Sequence, residues 1–297
     1  MTTRPLLKQG GTVLIVSPSW FRGEERTYAM ESLLNTYGFE AETHVQCHVQ
    51  FGQFAGSVEE RAFAINEAFM DESIDAVICA AGGYGALQLL DGINYELIKK
   101  NPKPFVGYSD ATALLNAIYA KTGLVTYHGP MGCCMSYKQH PETTQSFLDV
   151  VVAGEGQVKL AGNCLKSGEA AGILLGGNMT VFDQLIGTSY MPNADNIILF
   201  LEDTTDEKIN ELDKKLLHLR HSGVLKNVRG VILGEMDKLS DNETPFGKNT
   251  KQLVEEYLPN IPAVMNVKCG HDDSLLTFPV GAHIQLTVND ISSKLEF

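Results

Sequence analysis

Three residues of the types that perform nucleophilic catalysis stand at or near the ends of apolar runs. Ser109 and Glu202 follow strand-like runs, and His271 stands in a Gly-His turn after a further apolar segment. If the three meet, neutral His271 can take the proton of Ser109 and later give it to a leaving amine. Glu202 would hold the imidazole tautomer and stabilise the imidazolium. The order serine, acid, histidine occurs in one class of such triads, although unrelated folds use other orders.

Each of these residues also has an ordinary structural interpretation. A serine before a helix is usually an N-cap, and a helical pattern covers 111–121, just after Ser109. Glu202 could cap the helix that follows it, and His271 is one of eight histidines. The stretch Gly107-Tyr108-Ser109-Asp110-Ala111 favours a nucleophile, because a sharp nucleophile turn needs small residues two before and two after the serine. The second small residue is alanine rather than glycine, so the match is loose.

The segment Ala81-Gly82-Gly83-Tyr84-Gly85 is the most glycine-dense turn in the first half of the chain. Glycine permits positive φ and lets backbone N–H groups approach a ligand closely. An oxyanion hole, a phosphate cradle and an ordinary tight turn are all compatible with it. Because neither GxGxxG nor GxxxxGK[ST] is present, nucleotide binding has only weak support.

Length and charge limit the class of protein and of partner. The 297 residues, 44% of them hydrophobic, are enough for one large or two moderate folded domains. The formal net charge of -13 argues against nucleic acid, which needs a basic stripe, and against anionic lipid. It does not exclude a small anionic substrate, since the field of a pocket can oppose the net charge. We therefore expect a small partner, with no nucleic acid and no membrane.

Cysteine usage and the missing ligand patterns predict a cytoplasmic protein without a metal. The six cysteines form no CxxC pair, and the adjacent Cys133 and Cys134 have poor geometry for a mutual disulfide. The start of the chain has no signal-peptide segment, and no apolar run is long enough to span a bilayer. HExxH is absent as well, so we expect no metal site and no cofactor.

The first half of the chain alternates strand and helix patterns. Apolar runs such as Thr12–Val16, Ile74–Ala80 and Lys103–Tyr108 are separated by helical patterns such as 57–71, which opens with a capping-box signature. Such alternation predicts an α/β fold with a mostly parallel sheet and helices on both faces.

The second half of the chain has a different pattern of polar and apolar residues, and this pattern predicts a separate domain. Residues 156–169 are polar and glycine-dotted, and we interpret them as a linker between an N-terminal domain of 1–155 and a C-terminal domain of 170–297. Apolar strands and amphipathic helices follow. The alternating segments 282–288 and 293–297 predict an edge hairpin.

A set of short segments carries a family resemblance that no single one of them could carry. They are Gly82-Gly83-Tyr84-Gly85, the VGYSDAT run 106–112, His128-Gly129-Pro130-Met131, Leu175-Gly176-Gly177-Asn178, the LFLED run 199–203, Gly270-His271 and Phe278-Pro279-Val280-Gly281. In type and order, across almost the whole chain, they resemble the LD-carboxypeptidase family of serine peptidases, which also contains the microcin C self-immunity peptidases.

The resemblance implies a site, a fold and an assembly. It implies Ser109 as the nucleophile, Glu202 and His271 as its partners, and the backbone N–H groups of Gly83 and Asp110 as the oxyanion hole. It also implies a flavodoxin-like N-terminal domain with a parallel sheet, a smaller β-rich C-terminal domain, and often a homodimer.

The implied activity is that of a serine carboxypeptidase on an L–D peptide bond, which would remove terminal D-alanine from murein tetrapeptide during cell-wall recycling. Cleavage of an aspartyl-adenylate-like amide, as in microcin C immunity, is the alternative within the same chemistry. A non-enzymatic ligand-binding protein with Ser109 as a helix cap is the alternative from another class. Two positions depart from the murein enzymes: Ala81 replaces their usual arginine, and Asp272-Asp273-Ser274 replaces a proline that often follows the histidine.

Overall fold

The computed structural model describes residues 3–132, 140–204, 207–236, 239–271 and 274–297. The chain divides into two compact units. Unit 1 comprises Met1–Glu155 with Leu276–Gly281, and unit 2 comprises Gly156–Leu275 with Ala282–Phe297. Cys133, Cys134, Asp272 and Asp273, which entered the sequence predictions, lie outside the described residues.

Unit 1 is organised around a mostly parallel sheet. Its strands, numbered along the chain, are β1 (Thr12–Val16), β2 (Glu40–Thr43), β3 (Ala76–Cys79), β4 (Phe105–Gly107), β5 (Thr126–His128) and β12 (Phe278–Val280). Their order across the sheet is β12-β5-β4-β3-β1-β2, and only β12 is antiparallel to its neighbour. All residues of β3, β4 and β5 are buried, as in parallel sheets covered on both faces. The predicted α/β fold with a parallel sheet is confirmed.

Helices connect these strands. In the described part of unit 1 they are α1 (Glu24–Thr36), α2 (Val58–Met70), α3 (Tyr95–Lys100), α4 (Thr112–Thr122) and α5 (Pro141–Phe147). The capping box predicted for α2 is present: Ser57 and Glu60 each accept the backbone N–H of the other. α4 ends at Gly123, whose φ of 74° terminates the helix.

Unit 2 contains a mixed sheet and three helices in its described residues. The strands are β6 (Gln157–Leu160), β7 (Asn163–Lys166), β8 (Gly168–Asn178), β9 (Ile197–Glu202), β10 (Val228–Leu233), β11 (Ala263–Met265), β13 (His283–Val288) and β14 (Ser293–Glu296). Their order is β6-β14-β13-β8-β9-β10-β11-β7, with β8 to β11 parallel and the outer strands antiparallel. The helices are α6 (Met179–Leu185), α7 (Ile209–His221) and α8 (Thr250–Tyr257). The β-rich character expected for this part is confirmed. β13 and β14 form the predicted hairpin, but it does not lie at the edge of the sheet, because β6 pairs with the outer side of β14.

The prediction that 156–169 forms a linker is wrong. This stretch forms β6 and β7, which pair with β14 and β11 at the two edges of the sheet. In β6, Val158 and Leu160 are buried while Gln157 and Lys159 are exposed, an alternation typical of an edge strand. The polar alternate positions hid this pattern. Residues 276–281 also depart from the predicted boundaries, because they supply β12 to unit 1.

In the described ranges no helix is both long and apolar enough to cross a membrane. Cys47, Cys79 and Cys269 are buried free thiols, and Cys164 is a partly exposed one. Burial raises the pKa of the Cys47 thiol to about 11, so that this cysteine behaves as a core residue.

Candidate active site

Ser109 stands in a turn that leads directly from a strand into a helix. β4 ends at Gly107, a 3₁₀ turn covers Ser109–Ala111, and α4 begins at Thr112. The φ of Ser109 is 59°, a left-handed value that the described non-glycine residues share only at Asn266. Such a conformation costs roughly 1–3 kcal/mol and persists where the surroundings hold it, often at functional sites.

The small residues on either side of Ser109 are required by close packing. A Cβ atom added to Gly107 would lie 2.8 Å from the Cβ of Ala111 and 3.0 Å from the sulfur of Cys79. Both distances are shorter than van der Waals contact, so the turn has no room for a side chain at 107 or a large one at 111. The nucleophile-turn pattern asks for small residues at these two positions because the chain packs closely there. The same close packing is present in this turn, although residue 111 is alanine rather than glycine.

The helix-cap interpretation of Ser109 is wrong. The N-cap of α4 is Ala111, and no side chain there makes a capping hydrogen bond. Ser109 lies one 3₁₀ turn earlier. Its φ is positive, whereas an N-cap residue usually has an extended backbone. The alternative of a binding protein that uses Ser109 only as a cap loses its structural basis.

The glycine turn after β3 packs against the serine. A Cβ atom at Gly82 would lie 3.0 Å from both the Cβ and the Oγ of Ser109, so a side chain there would crowd the hydroxyl. Gly83 has a φ of 120°, and a Cβ atom added to it would lie 2.3 Å from a ring carbon of Trp20. The indole thus covers Gly83 while Gly82 contacts Ser109. The backbone of this turn is held within contact distance of the hydroxyl-bearing side chain.

Asp110 contributes a buried carboxylate behind the serine. Its Oδ2 accepts hydrogen bonds from the hydroxyl of Ser19 at 2.5 Å and from the backbone N–H of Ala86 at 2.8 Å. Burial raises the pKa of Asp110, and the two hydrogen bonds and the charge of Arg61 oppose that rise. The carboxylate therefore connects the loop after β1, the turn after β3 and the serine turn.

Arg61 of α2 is a buried cation with its donors directed at main-chain and amide oxygens. Its Nη1 donates to the carbonyls of Pro18 at 2.7 Å and Gly85 at 3.1 Å, and its Nη2 donates to Oε1 of Gln88 at 2.8 Å. Its Nε donates to the carbonyl of Gly56 at 3.2 Å. Sequence reasoning missed Arg61, although an arginine on the otherwise apolar face of a helix is a signal that it has buried partners.

Glu202 and His271 form a hydrogen-bonded pair in unit 2. Glu202 is the last residue of β9, and its side chain is 0% exposed, whereas that of His271 is 25% exposed. Nδ1 of His271 lies 2.8 Å from Oε2 of Glu202. Because a carboxylate accepts only, the proton sits on Nδ1, which leaves Nε2 of the neutral ring as an acceptor.

The surroundings of Glu202 are tight, and they exclude the capping interpretation. Cβ atoms added to Gly234 and Gly270 would lie 2.8 Å from the Cβ and 2.9 Å from the Oε2 of Glu202. Oε1 is buried and has no hydrogen-bond partner among the described residues. α7, the next described helix, begins after the N-cap Lys208, so Glu202 does not cap it.

The neighbouring carboxylate of Asp203 is neutralised locally. Its Oδ2 lies 2.7 Å from Nζ of Lys215 and accepts a hydrogen bond from Thr180 at 3.0 Å. The sequence did not reveal this ion pair. Because Lys215 offsets the charge of Asp203, Glu202 does not have an uncompensated anion next to it in the chain.

The structure groups the predicted residues into two sets. Ser109, Asp110 and Gly83 belong to unit 1, and Glu202 and His271 belong to unit 2. The described residues contain no group of three or more histidine, cysteine, aspartate or glutamate side chains suited to a metal ion. What the arrangement offers is a hydroxyl at a strained turn, and an imidazole whose tautomer is set by a buried carboxylate.

Comparison with known proteins gives a consistent result over both halves. Residues 13–129 match the family model of the LD-carboxypeptidase N-terminal domain, and residues 171–286 match that of the LD-carboxypeptidase C-terminal domain. The candidate carboxypeptidase YocD of Bacillus subtilis (strain 168) is 31% identical, over 97% of this chain and 97% of that protein.

Two solved structures extend the similarity to three dimensions. The MccF-like protein from Bacillus anthracis str. Ames superposes with a TM-score of 0.89 and 28% identity, over 100% of this chain and 99% of that one. The muramoyltetrapeptide carboxypeptidase from Oxalobacter formigenes gives a TM-score of 0.88 and 27% identity, over 96% and 97%.

Proposed function

Since the chain belongs to the LD-carboxypeptidase family and is a hydrolase of the carboxypeptidase type, we propose that it is a serine carboxypeptidase that hydrolyses an L–D peptide bond. Its proposed substrate is murein tetrapeptide, from which it releases the terminal D-alanine. The observation that carries the proposal is the 2.8 Å contact between His271 Nδ1 and the buried Glu202, because it prepares Nε2 to act as a base.

In the proposed mechanism, Ser109 is the nucleophile. Its Oγ attacks the scissile carbonyl while Nε2 of His271 takes the hydroxyl proton. The tetrahedral intermediate collapses as the same proton passes to the leaving amine, which frees D-alanine and leaves an acyl ester on Ser109. A water molecule, deprotonated by Nε2, then attacks the ester, and the imidazolium returns the proton to Oγ of Ser109 as the acyl–oxygen bond breaks. Glu202 stabilises the imidazolium in both halves of the reaction.

The negative charge of the tetrahedral intermediate needs hydrogen-bond donors in fixed positions. We assign this role to the backbone N–H groups of Gly83 and Asp110. The assignment is supported by the packing of the glycine turn against Ser109 and by the position of Asp110 directly after the serine. Removing one such donor typically reduces kcat on the order of 10²- to 10³-fold.

A second substrate class is supported by one of the structural relatives. The MccF-like structure, which takes its name from a microcin C7 self-immunity protein, superposes as well as the muramoyltetrapeptide carboxypeptidase does, with TM-scores of 0.89 and 0.88. Fold similarity therefore does not separate a murein peptide from an aspartyl-adenylate-like amide. Both would be cleaved by the same serine chemistry, and Ala81 is a position at which this chain differs from the arginine expected of murein enzymes.

Mass spectrometry of the products separates the two substrates. The purified protein is mixed in turn with murein tetrapeptide and with an aspartyl-adenylate amide analogue, alongside a Ser109→Ala variant as the control. Loss of D-alanine from the tetrapeptide, with the analogue intact, supports the proposal. Cleavage of the analogue alone favours the microcin-type activity. Cleavage of neither substrate by a folded parent protein would refute both.

We also propose that the enzyme acts in the cytoplasm, in cell-wall recycling, as a homodimer. The scattered cysteines, none of them in a CxxC pair, support the location. Cell fractionation tests the location, and sedimentation of the purified protein tests the homodimer. Recovery outside the cytoplasm, or the mass of a single chain at working concentration, would contradict them.

A further inference from the structure

Two buried charges lie behind the serine turn and take no part in the acyl-transfer steps. Asp110 is 3% exposed and Arg61 is 1% exposed. Removing a charge from water is unfavourable unless hydrogen bonds and an opposite charge offset the loss of hydration. The burial of two charged groups beside the proposed nucleophile therefore needs a physical explanation.

The two charges bind the same two segments at adjacent residues. Oδ2 of Asp110 accepts from Ser19, in the loop after β1, and from Ala86, in the turn after β3. Nη1 of Arg61 donates to the carbonyls of Pro18 and Gly85, which directly precede Ser19 and Ala86 in the chain. Anion and cation thus fix the same pair of loops from two sides, and they attract each other.

One of these hydrogen bonds joins the two segments that carry the proposed oxyanion donors. Ala86 is three residues after Gly83, and it donates its N–H to the side chain of Asp110. The backbone N–H of Asp110 is the other proposed donor. Because Gly85 also binds Arg61, the glycine turn is held at its end by both charges. A Cβ atom at Gly85 would lie 2.6 Å from Nη1, so glycine is needed for this approach.

We propose that Asp110 and Arg61 are positioning residues, which together hold the N–H groups of Gly83 and Asp110 at the separation that a tetrahedral oxyanion needs. We call this pair the Asp110–Arg61 clamp. The inference rests on the proposed function, since it presupposes acyl transfer through Ser109. It assigns to the two side chains a role in transition-state stabilisation without contact with the substrate.

Three substitutions separate the charge of the clamp from its hydrogen bonds. Both hydrogen bonds of Asp110 end on one oxygen, so the amide oxygen of Asp110→Asn can accept both while the charge opposite Arg61 is lost. Ser19→Ala removes one donor and keeps the charge. Arg61→Lys keeps the positive charge but loses the planar fork that reaches both carbonyls.

The chain offers a matched control at a distant loop. Oδ1 of Asp71 accepts from the hydroxyl of Ser73 at 2.6 Å and from its backbone N–H at 2.8 Å. This pair has the same donor and acceptor chemistry as Ser19, Ala86 and Asp110, but it is exposed and lies between α2 and β3. Asp71→Asn and Ser73→Ala should therefore leave turnover unchanged.

The test compares steady-state turnover with affinity for an oxyanion mimic. A peptide boronic acid forms an Oγ–B bond with Ser109 as the hydroxyl proton passes to the imidazole, which yields a tetrahedral boronate anion. For Asp110→Asn and Ser19→Ala we expect kcat to fall about 10- to 100-fold, with KM within about threefold of the parent value. Affinity for the boronate should fall by the same factor as kcat/KM, because both depend on the oxyanion donors.

A second readout does not depend on activity. The chain has a single tryptophan, Trp20, and its ring lies on Gly83. Loosening of the glycine turn in Asp110→Asn should raise the accessibility of Trp20 to acrylamide quenching, whereas Asp71→Asn should not change it.

The outcomes are distinguishable. If the parent protein cleaves its substrate and folded Asp110→Asn and Ser19→Ala match the two controls in kcat, boronate affinity and quenching, the clamp is refuted. A rise in KM at unchanged kcat would equally overturn it, because it would indicate contact with the substrate. If the parent cleaves nothing, the proposed function fails, and quenching alone decides whether the clamp holds the turn. Should Asp110→Asn fail to fold, Ser19→Ala and Arg61→Lys carry the same test.

Discussion

In the buried pair of Glu202 and His271, one substitution removes the charge of the acid and leaves the packing almost unchanged. Glu202→Gln keeps the size and shape of the side chain, but it removes the charge and replaces one acceptor oxygen with an NH₂ donor. The side chain is 0% exposed, and Oε2 lies 2.8 Å from Nδ1 of His271. Oε1 is buried without a partner among the described residues, so the two ends of the carboxylate have different surroundings.

The glutamine can take either of two orientations, and both impair the base. If its oxygen faces His271, its NH₂ group occupies the buried position of Oε1 without an acceptor, which costs about 1–3 kcal/mol. The imidazolium also loses the negative charge that stabilises it. If its NH₂ group faces Nδ1, the ring proton moves to Nε2, and Nε2 can no longer accept a proton from Ser109. We therefore expect kcat to fall on the order of 10²- to 10⁴-fold, with little change in KM.

Release of D-alanine from the tetrapeptide, followed at several substrate concentrations, measures this loss. Glu211→Gln is the matched control, since Glu211 lies in the same unit and its carboxylate pairs with Lys214 on the surface of α7. Circular dichroism and urea unfolding must show that the Glu202 variant is folded. A folded Glu202→Gln enzyme with kcat within threefold of the parent would refute the assignment of the acid.

Three further outcomes follow from local packing and burial. Gly270→Ala places a methyl group 2.9 Å from Oε2 of Glu202, and we expect kcat to fall about tenfold at unchanged KM, measured by the same assay. Gly107→Ala places its Cβ 2.8 Å from that of Ala111, and urea unfolding should show a loss of roughly 1–3 kcal/mol in the free energy of unfolding. Burial raises the pKa of Asp110, so the folded state binds the carboxyl proton more tightly than the unfolded state does. The free energy of unfolding therefore falls as pH rises from the ordinary aspartate pKa through the raised one. Urea titrations at about pH 4 and about pH 7 should show that Asp110→Asn lacks this decrease; an equal pH dependence in both proteins would contradict the cause given for the pKa.

The sequence allowed the fold class to be predicted because its signals are local. Uninterrupted apolar runs such as 76–79 and 105–107 alternate with helical patterns, and buried parallel strands have this texture. The edge strands β6 and β7 were missed, since half of their residues are polar and resemble a loop. The return of 276–281 to the sheet of unit 1 could not be predicted, because it depends on pairing with β5, about 150 residues earlier in the chain.

The candidate site was likewise predictable from the sequence only in part. The types and order of Ser109, Glu202 and His271, and the glycine-dense turn, are visible in the sequence. The contacts of the Asp110 and Arg61 side chains with the loops after β1 and β3 are not, because they span 24 to 91 residues of sequence and have no motif of their own. Their one signal is physical: an arginine on a helix face that is otherwise apolar must find its partners inside the protein.

The central claim is that Ser109 is the nucleophile, and covalent labelling tests it most directly. A peptide fluorophosphonate forms an Oγ–P bond with an activated serine as fluoride leaves, and mass spectrometry of the digested protein locates the adduct. We predict one adduct on Ser109, none in Ser109→Ala, and slower labelling in His271→Ala. An adduct on a different residue, or undiminished release of D-alanine by a folded Ser109→Ala variant, would contradict the account.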